Sequence, residues 1–478
     1  LLLLRDGPEF GHFPDSCRDL LRRIAPRLLD ELKESPDPDH VLINLERFIR
    51  RVGARASYYA LLAQNPESIK LLVTVFGFSQ HLSGLLISQP DLLDLMVSTE
   101  DLSAGKSRDD LTCELRDMIN GSPSFEDELV MMRRFRNGEM LRIGLGDLLG
   151  LRDLPAVNRE LTELSDIILD TSRRLAFRDA DKKELKPCEN GRFTVVAMGK
   201  MGGREMNYSS DLDLIFLYEG DEKSREYYTW AAQRMITILS SPTGEGLLYR
   251  IDMRLRPSGH AGPLVTSGKS FVRYHTEEAM VWEQQALIKA RCVAGDESFM
   301  EKVNDQLQDL VYGRDLREED VIEIRRIRDR MEAEISSEAG GKFYDIKLGW
   351  GGLVDIEFAV QVMQLHFGGK HPQVRSTSTM GALDTLNQAG LVEEKQYNTL
   401  RRAYSFYRGI ENRQHIYQDR SDHRIFLDKE RLRPLVRRLG HEGTSDSLAG
   451  FLDEVKKTRG EVREVFDSIL GNIEIELS

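Results

Sequence analysis

The chain of 478 residues is 40% hydrophobic and 30% charged, with 38 glycines and 15 prolines, a composition that excludes collagen-like, disordered and disulfide-scaffold classes. At roughly 150 residues per domain, its length predicts about three domains and a sizeable core. Acidic residues outnumber basic ones by 79 to 66, for a net charge of -13, the wrong overall sign for a nonspecific nucleic-acid binder.

The apolar opening of residues 1–4 meets Arg5 and Asp6 at once, so neither a signal-type segment nor a membrane span of about 20 residues is expected. The expected location is the cytoplasm. A start on Leu inside a leucine-rich stretch suggests a piece of a longer polypeptide. Residues 15–33 carry Leu20, Leu21, Ile24, Leu28, Leu29 and Leu32 at the spacing of an amphipathic helix, which is expected to end near Ser35 and Pro36. Residues 41–63 read as one long helix, Pro66 and Pro90 as helix openers, and residues 125–150 as a helix through a charged segment. The basic run of residues 135–142 is read as a solvated face rather than a phosphate-facing one. After a polar run at 183–192, residues 193–198 and 212–218 read as buried strands and 246–256 as a third, with a helix over 224–239. From about Glu318 helical periodicity persists almost to Ser478, interrupted at Gly349 to Gly352 and by a loop near Gly368 to Ser378. The expected fold class is α+β and predominantly helical, a small mixed-sheet module flanked by helical regions. The expected division is 1–118, 119–315 and 316–478. Cys17, Cys113, Cys188 and Cys292 stand alone, with no C-x-x-C pair, and are read as reduced thiols.

The chemistry concentrates in residues 198–213. Gly202 and Gly203, just past a strand, allow close backbone approach to an anion such as a triphosphate. Asp211 and Asp213, two apart on a strand, share one face. Paired carboxylates repel without a cation, and hard oxygen donors suit magnesium or manganese. Asp252 on the third strand is placed to complete a three-carboxylate site, the arrangement used for displacement at phosphorus. Arg254 and Arg256, in phase with Asp252, read as clamps on triphosphate oxygens. Ser209 and Ser210 read as braces of the turn, with Ser210 also a candidate contact, and Lys200 as either a phosphate contact or a solvated lysine. Asp355 and Glu357 are two apart at a helix start, off a common face, and read as braces or partners of arginines. Lys347 is a candidate nucleotide contact. No H-E-x-x-H and no G-x-x-x-x-G-K-[ST] occurs.

A glycine pair, a short helix, Asp-x-Asp and a later carboxylate resemble the nucleotidyltransferase superfamily of DNA polymerase beta type. Residues 199–216 with Asp252-Met253-Arg254-Leu255-Arg256-Pro257, 282–291, 351–358 and the helical segment 47–95 narrow the resemblance to the glutamine synthetase adenylyltransferase family, over most of the chain. The resemblance implies ATP as substrate, magnesium or manganese at Asp211, Asp213 and Asp252, and a tyrosine of glutamine synthetase as acceptor. It also implies the PII signalling protein as regulator and glutamine as effector. Nucleic acid and membrane are not expected partners. Proteins of this family carry an adding half and a phosphorolytic removing half, and one module is present here. Ser258-Gly259 after Arg256-Pro257, and Gln284-Gln285 after Trp282-Glu283, favour the adding half, while residues 347–352 and 361–369 have features of the other. A regulatory interaction module with a vestigial site is the rival of another class. The three acids and two arginines argue against it.

Overall fold

Asp37 accepts the His40 amide at 3.1 Å and Pro38 occupies the first helical position, a start that contributes about 1 kcal/mol. The computed structural model describes residues 14–96, 102, 105–183, 186–339, 341–418 and 422–477; the expectation for residues 1–4 lies outside them. The chain divides into two compact units. One comprises Leu1–Leu161, Asn412–Asp422 and Arg433–Thr444, the other Thr162–Glu411, His423–Leu432 and Ser445–Ser478.

In the first unit the helix Asp15–Glu34 ends at Ser35, as its spacing predicts, and buries Leu21, Ile24 and Leu28. The single helix expected over 41–63 is two, Pro38–Val52 and Ala56–Gln64, because Gly53 ends the first at a φ of 62°. Helix Pro66–Phe78 opens at its proline, and Phe76 meets Phe48 with ring centroids 6.0 Å apart. Helix Phe125–Leu148 corrects the solvated reading of 135–142: Phe135, Arg136, Glu139 and Arg142 are all buried. Arg142 pairs with Glu139 at 2.8 Å and Glu160 at 2.7 Å, and Arg152 reaches Glu160 at 2.5 Å. Buried charges hold only when paired in this way, and local sequence shows the charges without showing their partners.

The second unit contains a five-stranded sheet in the order β3-β2-β1-β5, with β4 also paired to β2. Strand β1 (Arg192–Ala197) runs antiparallel to β2 (Leu212–Glu219), with Val195 opposite Phe216. Strands β3 (Ile251–Asp252) and β4 (Val265–Ser267) run parallel to β2, and β5 (Arg291–Gly295) antiparallel to β1. Leu214, Ile215, Phe216 and Leu217 are buried in succession, so β2 is covered on both faces, as its unbroken apolar run requires. Helices Glu222–Ser240 and Glu297–Tyr312 pack on the sheet, the former through Tyr228, whose ring stacks on Phe193 at 5.3 Å. Beyond the sheet, helices Glu318–Ala339, Leu353–Phe367, Thr379–Gln388 and Ser445–Leu477 and the antiparallel pair β6 (Phe343–Asp345) and β7 (Arg424–Phe426) build a second layer. The last helix buries Leu448, Phe451, Val455, Val462, Phe466, Ile469 and Ile473, a stripe of three-and-four spacing along its 33 residues. The predominantly helical α+β class with a small mixed sheet is what the chain adopts.

The expected third strand is the main departure. Strand pairing stops at Asp252, and the chain turns back, with Arg256 donating to the carbonyls of Met253 (3.0 Å), His260 (3.2 Å) and Gly262 (3.3 Å). Pro257, lacking an amide, cannot extend the ladder. The strand phase assigned to Arg254 and Arg256 therefore does not exist.

Candidate active site

Strand β2 opens at Leu212, one residue after Asp211, which is exposed. Parallel pairing sets Leu212 beside Ile251 and Asp213 beside Asp252, so two of the three acids are register partners and the third stands at the strand mouth. Leu212 is fully buried and anchors the pair. Backbone bonds tie this end of the sheet together: the Met198 amide donates to the Asp213 carbonyl at 2.8 Å and the Leu212 amide to the Arg250 carbonyl at 2.9 Å.

Burial raises the Asp213 carboxyl to a pKa of about 6, with the neighbouring charges of Asp252 and Asp211 adding to it; Lys347 and Arg254 pull the other way. Burial also acts upward on Asp252, but Arg254 outweighs it and holds the carboxyl below the usual range. The Arg254 backbone amide donates to Oδ1 at 2.8 Å and its Nε to Oδ2 at 2.7 Å, while most of the side chain remains exposed. Environments that push like groups apart are a mark of functional sites.

The glycines serve close packing. A Cβ on Gly202 would lie 1.9 Å from the Lys289 carbonyl oxygen, and one on Gly199, at φ +55°, would lie 2.4 Å from Asp213 Oδ2. The amides of Gly202 and Gly203 are spent on Met198 (2.9 Å) and Gly199 (3.0 Å) carbonyls within the short turn Gly199–Gly202. Ser210 braces the turn as expected: Oγ accepts from the Asn207 amide at 3.0 Å and donates to Asn207 Oδ1 at 2.7 Å. Among the described residues, Arg204 (φ 56°) and Ser258 (φ 60°) are the non-glycine residues with positive φ, one in each loop flanking the acids, where backbone strain of this kind concentrates.

Lys200 is neither solvated nor free. Its side chain is 19% exposed and pairs with Glu411 at 2.8 Å. Burial pulls its pKa down to about 8, against the pull of Glu411. This pair belongs to a buried network that the sequence did not disclose. Lys289 meets Glu205 at 2.8 Å, Arg408 meets Glu411 at 2.7 Å and Glu357 at 2.9 Å, and the Thr379 amide donates to Glu205 at 2.6 Å. Arg291 fastens the glycine turn to Asp166 (2.8 Å) while donating to the carbonyls of Met201 (3.1 Å) and Gly202 (3.2 Å). Glu357 thus partners an arginine. Asp355, buried, pairs with Arg328 and accepts the Gly351 amide at 2.7 Å, bracing a helix start. Lys289 and Glu205 lie inside segments singled out by sequence, but they stand 84 residues apart, and Thr379 lies 174 residues from Glu205. The three carboxylates offer only oxygen donors, the hard kind that magnesium and manganese take.

Residues 69–306 match the family model described as glutamate-ammonia ligase adenylyltransferase, and residues 324–470 the one described as GlnD PII-uridylyltransferase. The chain is similar to bifunctional glutamine synthetase adenylyltransferase/adenylyl-removing enzymes. That of Pseudomonas syringae pv. tomato is 33% identical over 443 residues, covering 86% of this chain and 45% of the relative. That of Burkholderia pseudomallei is 33% identical over 420 residues, 85% of this chain and 44% of the relative. For Pseudomonas putida the figures are 33% over 465 residues, 90% and 47%. The chain spans about half the length of these curated relatives.

Proposed function

Because the chain belongs to the glutamate-ammonia ligase adenylyltransferase family, we propose that it transfers AMP from ATP to a tyrosine of glutamine synthetase. The observation that carries this reading is the parallel register of Asp213 with Asp252 beside Asp211. Asp211, Asp213 and Asp252 would hold magnesium or manganese, which when bound supplies charge neutralisation at the phosphates. Arg254, mostly exposed beside Asp252, turns its guanidinium to triphosphate oxygens, and Lys200 adds positive charge from the glycine turn. Gly202 and Gly203 shape that turn, Ser210 fixes it, and Arg256 holds the loop that presents Arg254. Asp252 would help remove the proton of the attacking tyrosine hydroxyl. The tyrosine oxygen forms a bond to the α-phosphorus as the bond to the pyrophosphate oxygen breaks, and pyrophosphate leaves.

The setting proposed is the cytoplasm, with the PII signalling protein as regulator and glutamine as effector; nucleic acid and membrane have no part in it. Among the described residues no helix is long and apolar enough to cross a membrane. The threefold division of 1–118, 119–315 and 316–478 is proposed as the functional one, with the sheet at its centre. Incubation with glutamine synthetase, magnesium and ATP labelled at the α-phosphate is expected to label the synthetase. Release of ADP from adenylylated synthetase and phosphate, with no labelling, would assign the removing activity instead. Silence in both assays would overturn the enzymatic reading in favour of an interaction module.

A further inference from the structure

Lys347 stands 134 positions after Asp213 in the chain, yet its charge acts on Asp213 and on Lys200. It is carried by a turn with little freedom. Asp345 Oδ1 accepts the amides of both Lys347 and Leu348 at 2.8 Å, and the Lys347 carbonyl accepts the Val354 amide at 3.0 Å. The rest of the turn is pinned as firmly. Arg328 donates to the Gly349 carbonyl at 2.8 Å, Tyr407 to that of Gly351 at 2.8 Å, and Arg459 to that of Trp350 at 2.9 Å. A Cβ on Gly351 would lie 2.0 Å from the Arg459 carbonyl oxygen.

Three cations of the same unit are already paired with acids. Lys200 pairs with Glu411, Lys289 with Glu205, and Arg408 with Glu357. Lys347 is half-buried, and among the described residues its ammonium has no hydrogen-bond or ion-pair partner. A pinned turn that holds a half-buried ammonium near Asp213, with no hydrogen bond or ion pair of its own among the described residues, loses side-chain entropy and hydration with little protein contact to offset them. An anionic ligand supplies that contact.

We propose that Lys347 binds the polyphosphate end of the nucleotide, completing from the second layer a site whose acids come from the sheet. This rests on the reading of the acids as a nucleotide site, but its test does not require transfer. Calorimetric titration of the whole chain with magnesium and either ATP, inorganic tripolyphosphate or adenosine separates the parts of the ligand. Lys347→Ala is expected to weaken ATP and tripolyphosphate about 10- to 100-fold, the size of one charge-assisted contact. Adenosine binding and the melting temperature should be unchanged, and Lys347→Arg should restore most of the loss. Unchanged ATP and tripolyphosphate affinity in Lys347→Ala would overturn the proposal, as would equal loss for adenosine or a lowered melting temperature, which mark a structural lysine. A parent chain that binds ATP but labels no synthetase would leave this proposal standing and sink the transfer reading alone. A parent chain that binds neither polyphosphate would sink both.

Discussion

Asp213 is half-buried among like charges, with the carboxylates of Asp252 and Asp211 as neighbours, a placement that costs stability unless a cation offsets it. Asp213→Asn is expected to abolish labelling of the synthetase, while in EDTA the variant melts higher than the parent, by the equivalent of roughly 1–2 kcal/mol once screening is allowed for. A variant that melts lower would show that the acid braces the fold instead. His275 supplies the opposite sign. Neither ring nitrogen has a hydrogen-bond partner among the described residues, the ring lies 4.5 Å from that of Phe271, and burial lowers its pKa to about 4 from 6.5. The folded state therefore resists a proton that the unfolded chain accepts. This contribution is present above pH 6.5 and is lost as pH falls towards 4, amounting to about 2 kcal/mol at pH 5. His275→Phe should flatten that part of the stability profile, measured by denaturant unfolding at pH 7 and pH 5.

At the scale of elements, tight contacts decide which glycines are replaceable. Gly202→Ala places its methyl against two backbone carbonyls, those of Lys289 at 1.9 Å and Ala197 at 2.6 Å, and is expected to cost about 3 kcal/mol or more. Gly84, exposed within the helix Gln80–Ser88, has nothing within 4 Å of such a methyl, so Gly84→Ala should gain about 0.5–1 kcal/mol from helix propensity. Melting the two variants side by side checks both signs. The same contrast explains what the sequence disclosed. Strands β1 and β2 were legible because apolar and β-branched residues dominate their six and eight residues, between polar stretches. Strands β3, β4, β6 and β7 have two or three residues each, too few to show a period. Spacing alone singles out Asp211 and Asp213, and the register that sets Asp213 beside Asp252 is the strand pairing expected of them, with Asp211 one residue before the strand. The pairing of Lys200 with Glu411 and of Lys289 with Glu205 could not, because a lysine carries no local sign of a carboxylate that only the tertiary fold brings to it.

For the whole molecule, the site depends on distant chain. Residues 119–315 contain all three acids, but Arg408, Glu411, Glu357 and Thr379, which engage Lys200, Lys289 and Glu205 within the second unit, lie beyond them. A fragment of 119–315 leaves two buried lysines and a buried glutamate short of partners, at a cost of several kcal/mol. It is expected to show no cooperative melting transition and no nucleotide binding, whereas a fragment of 162–478 should retain more of both; calorimetry of the two checks this. The order in which the chain visits its two units has a further consequence. It crosses to the first unit at Asn412, back at His423, over again at Arg433, and back at Ser445. Emerging from the ribosome at about 5–20 residues per second, neither unit can close until its late segments arrive, and the second waits for the helix Ser445–Leu477. Both nascent units thus stay open together until residues 433–444 emerge, a long exposure of apolar surface that makes this chain a natural client for chaperones and ties the first appearance of an intact acid site to the arrival of the helix Ser445–Leu477.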